Sequence, residues 1–434
     1  MSEWKEYKLG ELIETISKTF KFTDDKVIFL NTSDTLEGKV INKNFFEPKK
    51  LPGQAKKTIQ PNDVLYSEIR PANKRYAFVD FESSNYVVST KLMVLRVLDE
   101  EIISPKYLYY FLTSNEIVNY LQMLAESRSG TFPQIRFEEI SLLDINLPAF
   151  KIQDEIVEVI SSLDDKIELN NKINQELENL AQTLFKQWFI DFEFPNENGE
   201  PYKSSGGEMV ESELGEIPKG WEVKPIGDLF EFVVGGDWGK DDIDDEHSEM
   251  NYVLRGTDIP TLKSGSKNGV PYRAIKPSKL KNRQLKINDI IIEISGGSKK
   301  QPTGRTILIT KEILKRLNYH AIPASFCRLI RPKNDFAEFL GVYLVKIYDE
   351  GKTWEYQNQS TGISNFQFKF FESAEILALP LDLSVIDEFN SLISGFYNLM
   401  TTNENQELNN LRDTLLPKLI SGELEVADVM SEKA

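Results

Sequence analysis

The sequence predicts an α+β protein of two tandem globular units, each followed by a long helix. Three observations predict it. First, NQELENLAQTL (174–184) returns as NQELNNLRDTL (405–415), 231 positions later. Second, the similarity continues outside the helices and keeps the same order. WKEYKLGEL (4–12) matches WEVKPIGDL (221–229), PNDVLYSEI (61–69) matches INDIIIEIS (287–295), and GTFPQIRFEEISLLDINLP (130–148) matches GISNFQFKFFESAEILALP (362–380). Third, short apolar runs in both interiors are punctuated by Gly, Pro, Asn and Asp, the pattern of mixed strands, turns and short helices.

Residues 1–150 form the first unit, where the Asn-Asp of PNDVLYSEI is a turn entering a strand. Over 151–194 the apolar residues Ile156, Ile160, Leu163 and Ile167 recur at spacings of three and four. A polar gap at Asn170-Asn171-Lys172 follows, and Ile173, Leu177, Leu180 and Leu184 resume the pattern. That is the narrow seam of a coiled coil, and roughly 35 residues at about 1.5 Å each make a rod on the order of 50 Å. Residues 195–217, rich in Pro, Gly, Ser and acid, read as a linker. The second unit covers 218–381. The second helix, 382–425, repeats the seam as Ile386, Phe389, Ile393, Phe396 and Met400, breaks around Asn403, and resumes as Leu408, Leu411 and Leu415. Pro417 should end or kink it, and 426–434 is a tail. Matching seams in one chain can bury each other, and matching polar breaks can set their register.

A chain of 434 residues exceeds one ordinary core. One cysteine, Cys327, excludes a disulfide framework, and two histidines argue against histidine-rich metal sites and most catalytic triads. Neither a membrane span nor a secretory signal is expected, which points to a cytoplasmic protein. The net charge is −17, but its distribution matters more than its sum. The acid concentrates in the helices and linker. Residues 39–75 hold nine basic against three acidic side chains, and 255–316 hold fifteen against four. A globally acidic chain thus carries one basic window per unit.

The stretches LFKQWFIDFEFP (184–195), IPKGWEVKPIGDLFE (217–231) and LRDTLLPKLISGELEV (411–426) resemble the specificity subunit of type I restriction–modification systems, and the likeness in repeat order covers essentially the whole chain. The resemblance implies that each unit is a target-recognition domain reading one half of a split, asymmetric DNA site. It implies helices paired antiparallel as a coiled coil, whose length sets the unread spacer. It further implies two adenine-N6 methyltransferase subunits using S-adenosylmethionine, and restriction subunits driven by ATP and Mg²⁺. By the same resemblance this chain performs no chemistry and binds no cofactor itself.

Phosphate contact favours Lys and Arg, and base reading favours Arg, Asn and Gln. In the first unit EIRPANKRY places Arg70, Lys74 and Arg75 on an expected loop; in the second, EISGGSKKQPTGR places Lys299, Lys300, Gln301 and Arg305 at the equivalent position. Arg128, Ser129 and Thr131, matched by Gln359 and Ser360, have the polar chemistry of a second reading loop. Arg255 and Arg273 join on charge alone. For each, an ordinary surface charge is the plain alternative. The acidic run KDDIDDEHSE (240–249) reads first as a solvated loop facing away from DNA, and second as a contact for a basic partner.

Two alternatives belong to other classes, a divalent-metal nuclease and a coiled-coil scaffold that binds only proteins. VGGDWGK (234–240) has the wrong glycine spacing for a phosphate loop. Asp63 with Glu68, and Asp289 with Glu293, could be nuclease carboxylates, but neither glutamate is followed by a lysine two residues on, and an Asn-Asp turn accounts for both aspartates.

Overall fold

The computed structural model describes residues 4–127, 133–296, 301–360, 363–400, 402 and 404–431. It divides into two compact units, one of Met1–Lys166 with Leu408–Ala434, the other of Ile167–Glu407.

In the first unit a four-stranded antiparallel sheet runs Ile13–Thr15, Leu92–Val97, Val64–Ser67, Tyr76–Phe78. Successive side chains leave opposite faces. Tyr66, Met93 and Leu95 therefore meet the helices, including Tyr107, Leu108 and Phe111, whereas Leu65, Leu92 and Val94 meet a second sheet through Ile28, Leu30 and Val88. Burial of both faces explains why these strands are continuous apolar runs rather than alternating ones. The second sheet runs Phe45–Phe46, Val27–Leu30, Tyr86–Ser89, Ala55–Thr58, and Val27–Leu30 lies parallel to Tyr86–Ser89.

The second unit repeats the plan. Its four-stranded antiparallel sheet runs Phe230–Gly235, Cys327–Pro332, Ile290–Glu293, Thr306–Leu308. Ile290, Ile292 and Ile330 face the helix Ala337–Asp349, and Ile291, Ile307 and Leu329 face the other way. Beside it Tyr272–Ile275 pairs with Glu249–Leu254, which lies parallel to Ala321–Pro323.

The short sequence matches are the joints of this plan. Asn62 and Asn288 are left-handed at φ 73° and 72°, a conformation Asn tolerates better than most side chains. Each following aspartate turns back to accept a backbone N–H, from Gln60 at 2.8 Å and from Lys286 at 2.7 Å. Each also takes a forked guanidinium from the neighbouring strand. Arg96 reaches Asp63 at 2.7 and 2.8 Å, and Arg331 reaches Asp289 at 2.8 Å twice. Gly10 and Gly227 mark a second joint: a Cβ would stand 2.9 Å from the Ser141 Cβ in one unit and 2.9 Å from the Glu372 carbonyl oxygen in the other. Each unit is closed by its own ends. Lys5–Lys8 pairs antiparallel with Asp144–Leu147, and Trp221–Pro225 with Ile376–Pro380.

The helices follow the seam. Phe150–Phe189 is one helix of 40 residues. In the first unit its Ile156 and Ile160 share a core with Leu416 and Leu419, and Asp164 takes hydrogen bonds from Arg412 and from the Tyr110 hydroxyl at 2.9 Å each. In the second unit Phe185 and Trp188 pack on Phe389, while Asn170 donates to Asn405 and Glu404 at 2.9 Å and Asn405 donates to Asn171 at 3.0 Å. Rising numbers on one helix meet falling numbers on the other, so the pairing is antiparallel. Asn170 and Asn171 of the first polar gap thus meet Asn405, just after the second, whose Asn403 lies outside the described residues; a partly buried Asn layer in an apolar seam defines register because any slip strands its amides.

Three expectations differ from the structure. The C-terminal segment is two helices, Ser384–Met400 and Glu404–Ser421, and the second continues past Pro417. The proline removes one backbone hydrogen bond, but Leu416 and Leu419 are buried on either side and anchor the turn. Residues 195–217 are not an open tether: Phe194 is stacked between Tyr202 at 4.7 Å and Trp221 at 5.2 Å, and Met209–Ser212 pairs with Gly215–Pro218. The tail contains a helix, Val426–Ser431, whose Val426 joins the first unit's core.

Cys327 lies fully buried on its strand, and burial pushes its thiol up to about 12. The thiolate is the reactive form, so the native chain should resist a thiol reagent at pH 8 while the urea-unfolded chain labels completely. Labelling without denaturant at a comparable rate would show that this strand opens readily.

Candidate nucleic-acid interface

Each parallel strand pair ends in a capped turn. Asn31 leads one, and its N–H donates to Asp34 at 2.8 Å; Arg255 leads the other, and its N–H donates to Asp258 at 2.8 Å. The following segment ties back in both. Asn42 donates to Asp34 at 3.1 Å, and Arg255 donates to the Gly269 carbonyl at 2.9 Å. Arg75 and Arg305, from the predicted basic loops, lie near these turns. Ser67 N–H donates to the Arg75 carbonyl and Glu293 N–H to the Arg305 carbonyl, each at 2.9 Å, so the two arginines are equivalent.

That equivalence was expected from charge, but the guanidinium groups point inward. Arg75 donates to the carbonyls of Ser33 at 3.2 Å and Thr35 at 3.1 Å, which holds the capped turn. Arg305 grips Glu293 through two hydrogen bonds, at 2.9 and 2.7 Å. A Cβ on Gly256 would stand 2.4 Å from that carboxylate, so any larger residue there would have to displace the Glu293 side chain that Arg305 grips. Arg255 is similarly engaged, with Asp258. These three arginines build the site's frame.

Arg70 and Lys74 behave differently. Both are left-handed, at φ 47° and 51°, and they bracket the short turn Pro71–Asn73. The turn is held by Gln122, which accepts from Ala72 N–H at 3.0 Å. Two non-glycine residues in this conformation are uncommon and mark a loop whose shape its surroundings impose. Arg70 is exposed and has no side-chain partner among the described residues; Lys74 stands 3.5 Å from Glu37. In the second unit Gln301 is exposed and donates to the Tyr348 hydroxyl at 3.3 Å. Lys299 and Lys300 lie outside the described residues, as do Arg128, Ser129 and Thr131. Gln359 and Ser360 end the strand Gln357–Ser360, which pairs with Ile363–Phe366; their side chains are outside the described set.

The acidic run is not merely solvated. Lys240 bonds to Asp244 at 2.6 Å, Arg273 to Asp241 and Lys276 to Glu246. Lys240 and His247 hold the Asp244 carboxyl well below the usual range. Arg273 also lies over the Trp238 ring at 4.6 Å and donates to its carbonyl at 2.6 Å. The run therefore neutralises part of the second basic window. The imagined nuclease carboxylates are likewise engaged: Asp63 and Asp289 by Arg96 and Arg331, Glu293 by Arg305, and Glu68 by Lys91 at 3.3 Å. Among the described residues no group of three or more His, Cys, Asp or Glu could hold a metal ion, and no helix is long and apolar enough to cross a membrane.

Among the described residues, the two units thus share one duplicated frame of strands, capped turns and inward-facing arginines. The sequence model of the type I restriction modification DNA specificity domain matches residues 1–179 and 218–410. The type I restriction enzyme HindI specificity subunit of Haemophilus influenzae is 32% identical, over 98% of this chain and 100% of that one. The MjaIX specificity subunit of Methanocaldococcus jannaschii is 28% identical over 77% of this chain and 72% of its own. A crystal structure of a type I restriction–modification S subunit from M. genitalium covers 96% of both chains at 15% identity, with a TM-score of 0.48. The chain belongs to the family of type I restriction–modification DNA specificity subunits.

Proposed function

We propose that this chain reads a split, asymmetric site on double-stranded DNA, one half with each unit, and directs partner subunits to it. The partners are two methyltransferase subunits that modify adenine N6 with S-adenosylmethionine, and restriction subunits that use ATP and Mg²⁺. The chain supplies recognition and no catalytic group, and it works in the cytoplasm, where the DNA is. One observation carries the reading: the family match falls twice, once on each repeat. Two binders on one chain also raise each other's effective concentration, so individually weak half-site contacts suffice.

The test is a methylation map. The chain is co-expressed with its neighbouring methyltransferase gene in a host lacking adenine methylation, and modified bases are read across the genome. Methyladenine should appear only at a two-part asymmetric motif, and only when this chain is present. Methylation independent of the chain, or without a consistent motif, would refute the proposal.

A further inference from the structure

Each unit leaves a large aromatic side chain uncovered at the same place. Phe45 is 59% exposed and Tyr272 is 51% exposed. Phe45 lies opposite Ile28 on the edge strand of its sheet, and Tyr272 lies opposite Tyr252 on the edge strand of the other. Ile28 and Tyr252 are each two residues before the end of their strands, Leu30 and Leu254, where the capped turns of Asn31 and Arg255 begin. Three residues before each aromatic, Asn42 and Gly269 make the tie to that turn. The two aromatics are thus structural equivalents, each on the strand that follows its unit's capped turn.

An exposed aromatic on an edge strand invites unwanted pairing, and natural edges usually avoid it. Having it twice at one register argues for a shared use. The surroundings identify the occupant. In sequence, Phe45 stands among Lys39, Lys43, Lys49 and Lys50, with Glu47 the one acid of residues 39–50; Lys50 pairs with Glu47 at 3.0 Å, Lys43 lies 5.8 Å from the Phe81 ring centre, and Lys39 and Lys49 have no side-chain partner among the described residues. Beside Tyr272, Tyr252 packs at 4.8 Å and carries the Lys267 ammonium 5.0 Å from its ring centre, an ammonium that also donates to the Arg316 carbonyl at 2.9 Å, while the neighbouring Arg273 and Lys276 are paired with Asp241 and Glu246. An apolar ring among lysines, as at Phe45, suits a polyanion with flat apolar interiors, which is duplex DNA, and Tyr272 joins it by its equivalent place in the second unit. Apolar side chains entering base steps are an established way for proteins to bend DNA and gain contact.

Resting on the DNA-recognition reading above, we propose that Phe45 and Tyr272 are paired wedges, one per half-site, each entering a base step of the bound duplex, with the lysines near Phe45 in sequence holding phosphates in the first. Both rings are exposed, so removing either leaves the cores intact.

The experiment uses the full complex with the methyltransferase subunits and a duplex carrying the motif that the methylation map returns, with a scrambled duplex as control. Binding and DNA bending, followed by end-to-end energy transfer, are measured at one salt concentration. Phe45→Ala and Tyr272→Ala should each weaken binding to the motif about tenfold to a hundredfold and reduce the bend, with the thermal midpoint unchanged. Phe45→Leu, which keeps an apolar wedge, should retain most of both. Alanine variants that bind and bend like the parent, or that lose only the methyltransferase subunits, would overturn the wedge. A parent complex that does not prefer the motif over the scrambled duplex would instead sink the recognition reading itself.

Discussion

Asp63→Ala should destabilise the first unit by about 3–5 kcal/mol, the range for removing one partner of a buried ion pair. Its side chain is wholly inaccessible and Arg96 only 24% exposed, so truncation leaves a largely buried guanidinium without a counter-charge. It also strips the Gln60 N–H of its acceptor. Asp63→Asn keeps an acceptor for that N–H and should lose less. Amide hydrogen exchange resolves the effect by place. Protection should fall in Val64–Ser67 and Leu92–Val97 and persist in Ile290–Glu293, where Asp289 and Arg331 remain. A loss below about 1 kcal/mol would mean that the pair is replaceable by water and that the Asn-Asp turn alone holds the strand.

The repeat made much of this fold legible. Trp, Gly and Leu in step, and Asn-Asp before an apolar run, survive in both copies because each meets a backbone demand: close approach at Gly10 and Gly227, left-handed φ at Asn62 and Asn288. The helical seams were legible by period, and the asparagines of the first gap meet Asn405 beside the second. What composition could not show was direction. Arg75 and Arg305 stand in basic windows, yet both turn inward, because their acceptors come from distant or opposing parts of the chain that charge counting ignores. The acidic run was missed as a counter-ion for the same reason. The edge aromatics escaped notice because the loops before them differ in length. Phe45 comes fifteen positions after Leu30, and Tyr272 eighteen positions after Leu254. The sequences lose alignment there, and only strand register restores it. A search for exposed-type aromatics among unpaired lysines, rather than for charge alone, would have found the first of them.

Exchanging residues 218–381 for the equivalent piece of another family member should change one half-site completely and leave the other untouched. The reason lies in how the piece closes. Its two ends are hydrogen-bonded neighbours, with Trp221 opposite Pro380 and Pro225 opposite Ile376, so a graft inserts one clasped module without rerouting the chain. The first unit has the same clasp, Lys5 opposite Leu147. The joints that hold each module, Asp63 with Arg96 and Asp289 with Arg331, are internal to it and travel with it. By contrast, the aromatics on Phe185–Phe189 that pack against Phe339 lie outside the exchanged piece, so an incoming helix must match their volume or create a cavity costing about 2–5 kcal/mol. A failed graft should therefore trace to the position of Phe339 and be repaired by restoring phenylalanine there. The methylation map of a folded graft decides the matter: one altered half-motif supports independent reading by each module. Two altered halves would mean that recognition is shared across the modules, and the closed-clasp account of their independence would be wrong.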